Sequence, residues 1–272
     1  MSQVISAAAA RIKSDSARLD AELLLSRVLG VERSYFFTWP DRALSQSQWQ
    51  DFEQLLARRI DGEPVAHILG QRGFWTLQLA VDASTLIPRP DTEVLVETAL
   101  NLLPDEPLDV VDVGTGSGAI ALALKSERPS WRMLAGDASL AACRLAKRNA
   151  ASNALDVPLF CGDWLHALAD ASMDVVLSNP PYIEATDPHL NEGDVRFEPR
   201  SALVAGARGL ADLVNIAEQS IRVLRSGGWL MMEHGFDQRQ AVTSQLRRLG
   251  YHRVESFKDF GGHWRITVGV KN

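Results

Sequence analysis

The residues Asn179-Pro180-Pro181-Tyr182 follow the apolar run Asp174-Val175-Val176-Leu177, so they sit where a buried parallel strand is expected to end. In an open α/β sheet that is the edge where ligands bind. Pro180 lacks an N–H and has a fixed φ, and both prolines push the residue before them toward extended geometry, so the backbone here is stiff. A primary amide beside an outward carbonyl offers two acceptors on one edge, which suits an incoming NH2 group. The Tyr182 ring adds a surface for a flat substrate. Asn179, Pro180 and Tyr182 are therefore candidate catalytic residues, and with Pro181 they form a candidate substrate clamp. A Pro-rich turn without chemistry would look the same in isolation, so the rest of the chain must decide.

Val111-Asp112-Val113-Gly114-Thr115-Gly116-Ser117-Gly118 sets three glycines between an expected strand and a helix rich in Ala and Leu. Missing β-carbons let a ligand lie against the backbone, and the helix N-terminus behind favours an anionic group. Gly114, Gly116 and Ala119 also satisfy the fingerprint G-x-G-x-x-A, so this loop alone leaves a nicotinamide or flavin cofactor open. Asp137, at the end of the second strand, stands where a carboxylate accepts both hydroxyls of an adenosine ribose or caps the helix at 139–150. Asp163-Trp164 follows the third strand, where an acceptor and an indole can receive adenine, although the indole can equally be core. S-adenosylmethionine uses every piece: ribose on Asp137, base on Trp164, methionine carboxylate on the glycine loop, and methyl toward Asn179. The candidate cofactor residues are Gly114, Thr115, Gly116, Ser117, Gly118, Asp137, Trp164 and Asn179.

No metal is expected. Cys143 and Cys161 are far apart with no His at ligand spacing, which points to neither a zinc site nor a disulfide framework and leaves them as buried fillers. Asp112 can support the methionine end or cap the loop, Arg89 and Glu93 can position substrate or pair at a helix start, and His234 reads as a satisfied rim residue.

These residues need a scaffold. Ser16 and Gly30 bracket a helix with Leu19, Leu23, Leu24 and Val28 on one face, and Ser45-x-x-Gln48 opens another carrying Trp49, Phe52, Leu56 and Ile60. Alternation in residues 70–85 predicts a hairpin, and from Asp91 strands and helices alternate as in a parallel sheet. The last two strands, around Tyr251–Glu255 and Trp264–Val268, are joined by a loop too short for a crossover helix and should pair antiparallel. The 272 residues, 46% hydrophobic and 23% charged, fit a soluble globular protein, read as cytoplasmic because no apolar stretch approaches a membrane span. The net charge of -6 gives no basic footprint for a duplex.

Together Gly114 to Gly118, Asp137 and Asn179 to Tyr182 resemble a class I S-adenosylmethionine-dependent methyltransferase of the amino-methylating kind. With Leu19 to Leu24, Glu63 to Gly70, Phe74-Trp75, Leu86 to Glu93 and Arg196 to Pro199, the chain resembles the release factor glutamine methyltransferases, the HemK/PrmC family, over essentially its full length. The resemblance implies an α/β fold: a Rossmann-like seven-stranded sheet over 91–272, an N-terminal helical substrate-recognition bundle over 1–70, and a hairpin linker over 71–90. It further implies methylation of the Gly-Gly-Gln glutamine of bacterial peptide chain release factors 1 and 2, with no membrane or direct nucleic-acid partner. A nucleic-acid amino methyltransferase, acting on adenine N6 or guanine N2, is the alternative.

Overall fold

In the computed structural model, which describes residues 1–272, the apolar spacing of the first 70 residues becomes five helices. These are α1 (Ser2–Ala9), α2 (Ala17–Leu29), α3 (Ser34–Thr38), α4 (Gln46–Ile60) and α5 (Val65–Leu69). They form one unit, Met1–Gln71, to which Pro188–Phe197 also belongs. Its core is Ile5, Ala21, Leu24, Leu25, Phe36, Phe52, Leu56 and Ile68. α4 begins with the expected capping box of Ser45 and Gln48, and α2 ends at Gly30 with φ 64°. The buried stripes differ from the expected ones: Leu19 and Trp49 are exposed, and Ala21 and Leu25 are buried instead. Paired charges set this rotation. Asp20 and Glu22 lie in the buried face of α2, where Asp20 accepts from Arg59 and from the Ser14 and Ser16 hydroxyls, and Glu22 pairs with Arg18 and Arg33. Ser16 thus serves Asp20 rather than capping the helix amides.

The second unit is Arg72–Asp187 with Glu198–Asn272. The expected hairpin, β1 (Gln71–Phe74) and β2 (Leu77–Ala80), begins at the boundary between the units and belongs to the second from Arg72 on; α6 (Glu93–Leu102) follows. Alternation then gives β3 (Asp109–Val113), α7 (Ala119–Glu127), β4 (Arg132–Asp137), α8 (Leu140–Ser152), β5 (Leu159–Cys161) and β6 (Met173–Ser178). α9 (Gly206–Gly209), α10 (Ala211–Val223), β7 (Leu224–Glu233), α11 (Arg239–Arg248), β8 (His252–Lys258) and β9 (Trp264–Val270) complete it.

The sheet order is β5-β4-β3-β6-β7-β9-β8, parallel throughout except for β9, which runs antiparallel to β7 and β8. Helices cover both faces. One core holds Leu95, Ile120, Leu124, Trp131, Val175 and Leu177, the other Val111, Val113, Val176, Ile216, Leu230 and Leu246, as alternate residues of each central strand require. After β3 the chain steps to β4 and β5, then returns to place β6 on the other side of β3. A crevice opens at such a reversal, because loops leave neighbouring strands in opposite directions. No helix is long and apolar enough to cross a membrane.

Arg59 is 8% exposed and bridges Asp20 to Asp194 within the first unit, with 2.8 Å contacts to each. Removing the guanidinium strands a buried carboxylate, so Arg59→Ala should cost about 3 kcal/mol in urea denaturation, while Arg18→Ala, whose side chain is exposed, should cost under about 1 kcal/mol.

Candidate active site

The cavity at the β3/β6 reversal has a volume of about 490 Å³, within the range of small-molecule sites. Its floor is the loop after β3. Gly114 and Gly116 adopt φ 70° and 56°, a region costly for side-chain-bearing residues, and a β-carbon on Gly114 would come within 3.1 Å of the Trp164 ring. The loop is pinned from below: the Thr115 N–H donates to the Gly136 carbonyl, and the Thr115 hydroxyl donates to Asp112 Oδ2 at 2.6 Å. From the side, the Gly116 N–H donates to Asp137 Oδ2 at 2.9 Å. Asn149 of α8, fully buried, donates to the Ser117 carbonyl and exchanges hydrogen bonds with the Ala80 backbone, tying the hairpin to the loop.

Of the expected cofactor residues, Gly114, Thr115, Gly116, Ser117, Asp137, Trp164 and Asn179 line the cavity. Gly118 does not. It sits at φ 86° before α7, where a β-carbon would come within 3.2 Å of Ala146 and Leu122, so its smallness serves helix packing. The helix-capping alternative for Asp137 falls to Ser139, whose hydroxyl accepts from the Ala142 N–H. Asp137 accepts one backbone N–H on each oxygen, from Gly116 and Ser139, leaving a lone pair on each for a ligand.

The opposite wall follows β6. Ser178 pairs with Met232, so the next residues, Asn179 and Glu233, leave adjacent strands side by side. Asn179 and Pro181 line the cavity, and the ring of Pro180 between them is buried. Asn179 Nδ2 donates to the Thr92 hydroxyl at 3.1 Å, leaving Oδ1 uncommitted. Tyr182 is not among the lining residues: its ring packs into the core beneath, and its hydroxyl donates to Glu233 Oε1 at 3.1 Å. Burial, reinforced by Glu233, pushes the Tyr182 pKa up, so it stays a neutral phenol.

Several other expectations are corrected. Arg89, which lines the cavity, pairs with Glu198, which is fully buried and also accepts the Ile87 N–H, whereas Glu93 accepts the Trp75 N–H, so the two do not pair with each other at the helix start. His234 is buried rather than at a rim; its ring bonds the Gly235 carbonyl and the Thr267 hydroxyl, and burial lowers its pKa. Cys143 is buried but Cys161 is exposed, and no disulfide joins them. Thr85, Thr92, Ser201, Ala202 and Asp212 line the cavity without having been singled out. Only Thr92 carried a signal, its place in Leu86 to Glu93; the others reach the site through chain crossings that spacing does not reveal.

Residues 3–70 match the PrmC N-terminal domain and residues 90–194 the methyltransferase small domain. The release factor glutamine methyltransferase of Escherichia coli K12 is 49% identical over 257 residues, covering 94% of this chain and 93% of its own. That of Pseudomonas aeruginosa is 51% identical over the same shares. The chain belongs to the release factor glutamine methyltransferase family. In fold, it is similar to a methyltransferase from Pyrococcus furiosus, with a TM-score of 0.58 and 18% identity over 81% of this chain and 99% of that one. The seven-stranded Rossmann-like sheet expected of the family is present.

Burial raises the Asp112 carboxyl from 3.8 to about 7, and its Oδ1 has no hydrogen-bond partner. Between those values only the native carboxyl keeps its proton, so stability falls as pH rises through that window, by an amount on the order of a few kcal/mol. Asp112→Asn, which carries no such proton, should flatten that slope in denaturation measured from pH 4 to 8.

Proposed function

We propose that the protein transfers a methyl group from S-adenosylmethionine to the side-chain nitrogen of the glutamine in the Gly-Gly-Gln motif of peptide chain release factors 1 and 2. The observation that carries this reading is Asn179 on the wall of the glycine-floored cavity, its Nδ2 engaged by Thr92 and its Oδ1 available. The relatives above are named for release factors, and a substrate of the translation apparatus makes the protein cytoplasmic.

The residues present fit the cofactor. Gly114 and Gly116 hold a left-handed backbone with no side chain on the cavity floor, and Asp137 retains acceptor capacity for a ribose. Trp164 offers an aromatic face, and Thr85, which lines the cavity, has a buried hydroxyl with no partner in the chain. When bound, S-adenosylmethionine supplies an electrophilic methyl on a sulfonium sulfur.

The chain must then make a poor nucleophile attack. An amide nitrogen is weak because its lone pair is delocalised into the carbonyl. Asn179 Oδ1 and the Pro180 carbonyl, each accepting one N–H, would turn that lone pair toward the methyl. Such orientation can supply about 7–11 kcal/mol of a bimolecular barrier, so no strong base is needed. As nitrogen becomes positive, both acceptors bind it more strongly, which favours the transition state over the ground state. The proton then leaves to water. In this reading Pro181 shapes the cavity wall, and Tyr182 supports the clamp from below through Glu233 instead of stacking on the substrate. The helices of residues 1–70 recognise the protein substrate, because they carry buried apolar stripes and no cofactor motif.

Incubation with labelled S-adenosylmethionine and purified release factor, followed by peptide mapping, should find the label on the Gly-Gly-Gln glutamine; label on RNA or DNA instead would sink the proposal. Asn179→Ala should lose about 10²–10³ in kcat while retaining the cofactor. Asp137→Ala should weaken cofactor binding by about 2–3 kcal/mol in calorimetry.

A further inference from the structure

Asn179 serves a substrate NH2 only when its amide is turned one way, because one end of the group donates and the other accepts. The backbone that follows it has little freedom. The Tyr182 carbonyl accepts from Gln238 Nε2 at 2.9 Å, and Ile183 exchanges backbone hydrogen bonds with Leu203 and Ala205. Gly209 packs so closely on the Tyr182 carbonyl that a β-carbon there would fall 2.1 Å from its oxygen. What remains to be set is rotation of the amide.

Thr92 faces that amide. It is 5% exposed, closes the helical turn Pro90–Thr92, and its Oγ1 accepts from Asn179 Nδ2. A hydroxyl has one proton and two lone pairs, so it presents a lone pair to Asn179 when its proton is drawn elsewhere. Glu233, 2% exposed at the end of the neighbouring strand, accepts from the Tyr182 hydroxyl on Oε1 and has no hydrogen-bond partner on Oε2.

We propose that Thr92 is a positioning residue whose hydroxyl accepts from Asn179 Nδ2 and thereby keeps Asn179 Oδ1 turned toward the substrate nitrogen. The proposal rests on the amide methyltransferase reading above. Without the hydroxyl, the amide can turn its own NH2 toward the substrate NH2, donor against donor.

The test uses the full-length protein with Thr92→Val, Thr92→Ser and Asn179→Ala, and Thr92→Ala should the valine variant not fold. With both substrates saturating, Thr92→Val should lose about 10- to 100-fold in kcat with calorimetric cofactor affinity unchanged, and Thr92→Ser should stay within about 3-fold of the parent. In ¹H–¹⁵N spectra, the Asn179 side-chain amide signal, assigned by its loss in Asn179→Ala, should move in Thr92→Val and stay in Thr92→Ser. An unmoved signal together with kcat within about 2-fold of the parent overturns the role of Thr92. So does a serine variant as poor as the valine one, since the methyl group would then be what matters. Either result leaves the parent reading intact if the parent methylates glutamine, whereas a parent that does not fails that reading directly.

Discussion

The reversal of strand order between β3 and β6 is the constraint on which the site depends. Two adjacent parallel strands there send their following loops apart, and a cavity opens where both loops begin. On one side lies the glycine loop, whose backbone can approach a ligand because Gly114 and Gly116 have no side chain. On the other lies Asn179, carried by a strand that is fully buried from Val175 to Ser178. Neither half does anything useful alone. The β3–β6 pairing of Val110–Asp112 with Val175–Leu177 sets the distance between them.

Around that reversal, buried polar groups act as anchors. Asn149 joins the hairpin to the glycine loop, Asp137 and Asp112 hold the loop from two sides, and Glu198 fixes the wall that carries Ile87 and Arg89. Each replaces water's hydrogen bonds with directed ones, which holds a geometry at modest net gain in stability. Where the replacement is incomplete, as at Asp112 and Glu233, burial favours the protonated acid and raises the pKa of both to about 7. These carboxyls sit under the two walls of the cavity. The arrangement trades stability at neutral pH for a fixed framework.

The first unit follows a different logic. Its helices bury a small apolar core, and Asp20, Glu22 and Arg59 are drawn into it as pairs. Because Arg59 also meets Asp194, a segment 135 residues away in sequence is part of that unit. Family membership assigns the two matched regions their types, and the substrate role of the helices remains a reading of the chemistry they lack.

The sequence by itself determined the alternating α/β pattern, the hairpin, the antiparallel final strands, the glycine loop, and the amide at a strand end. Each is a local consequence of side-chain period, backbone freedom or proline geometry. The tertiary structure decided what depended on long-range partners. It moved Tyr182 from the cavity to a support on Glu233, gave Arg89 to Glu198 instead of Glu93, and turned Gly118 from a ligand contact into a packing contact. It also rotated the apolar face of α2, because Asp20 and Glu22 found cations that only folding brings near. A residue's type limits what it can bond, but its partner is chosen by whichever groups the strand order brings within about 3 Å.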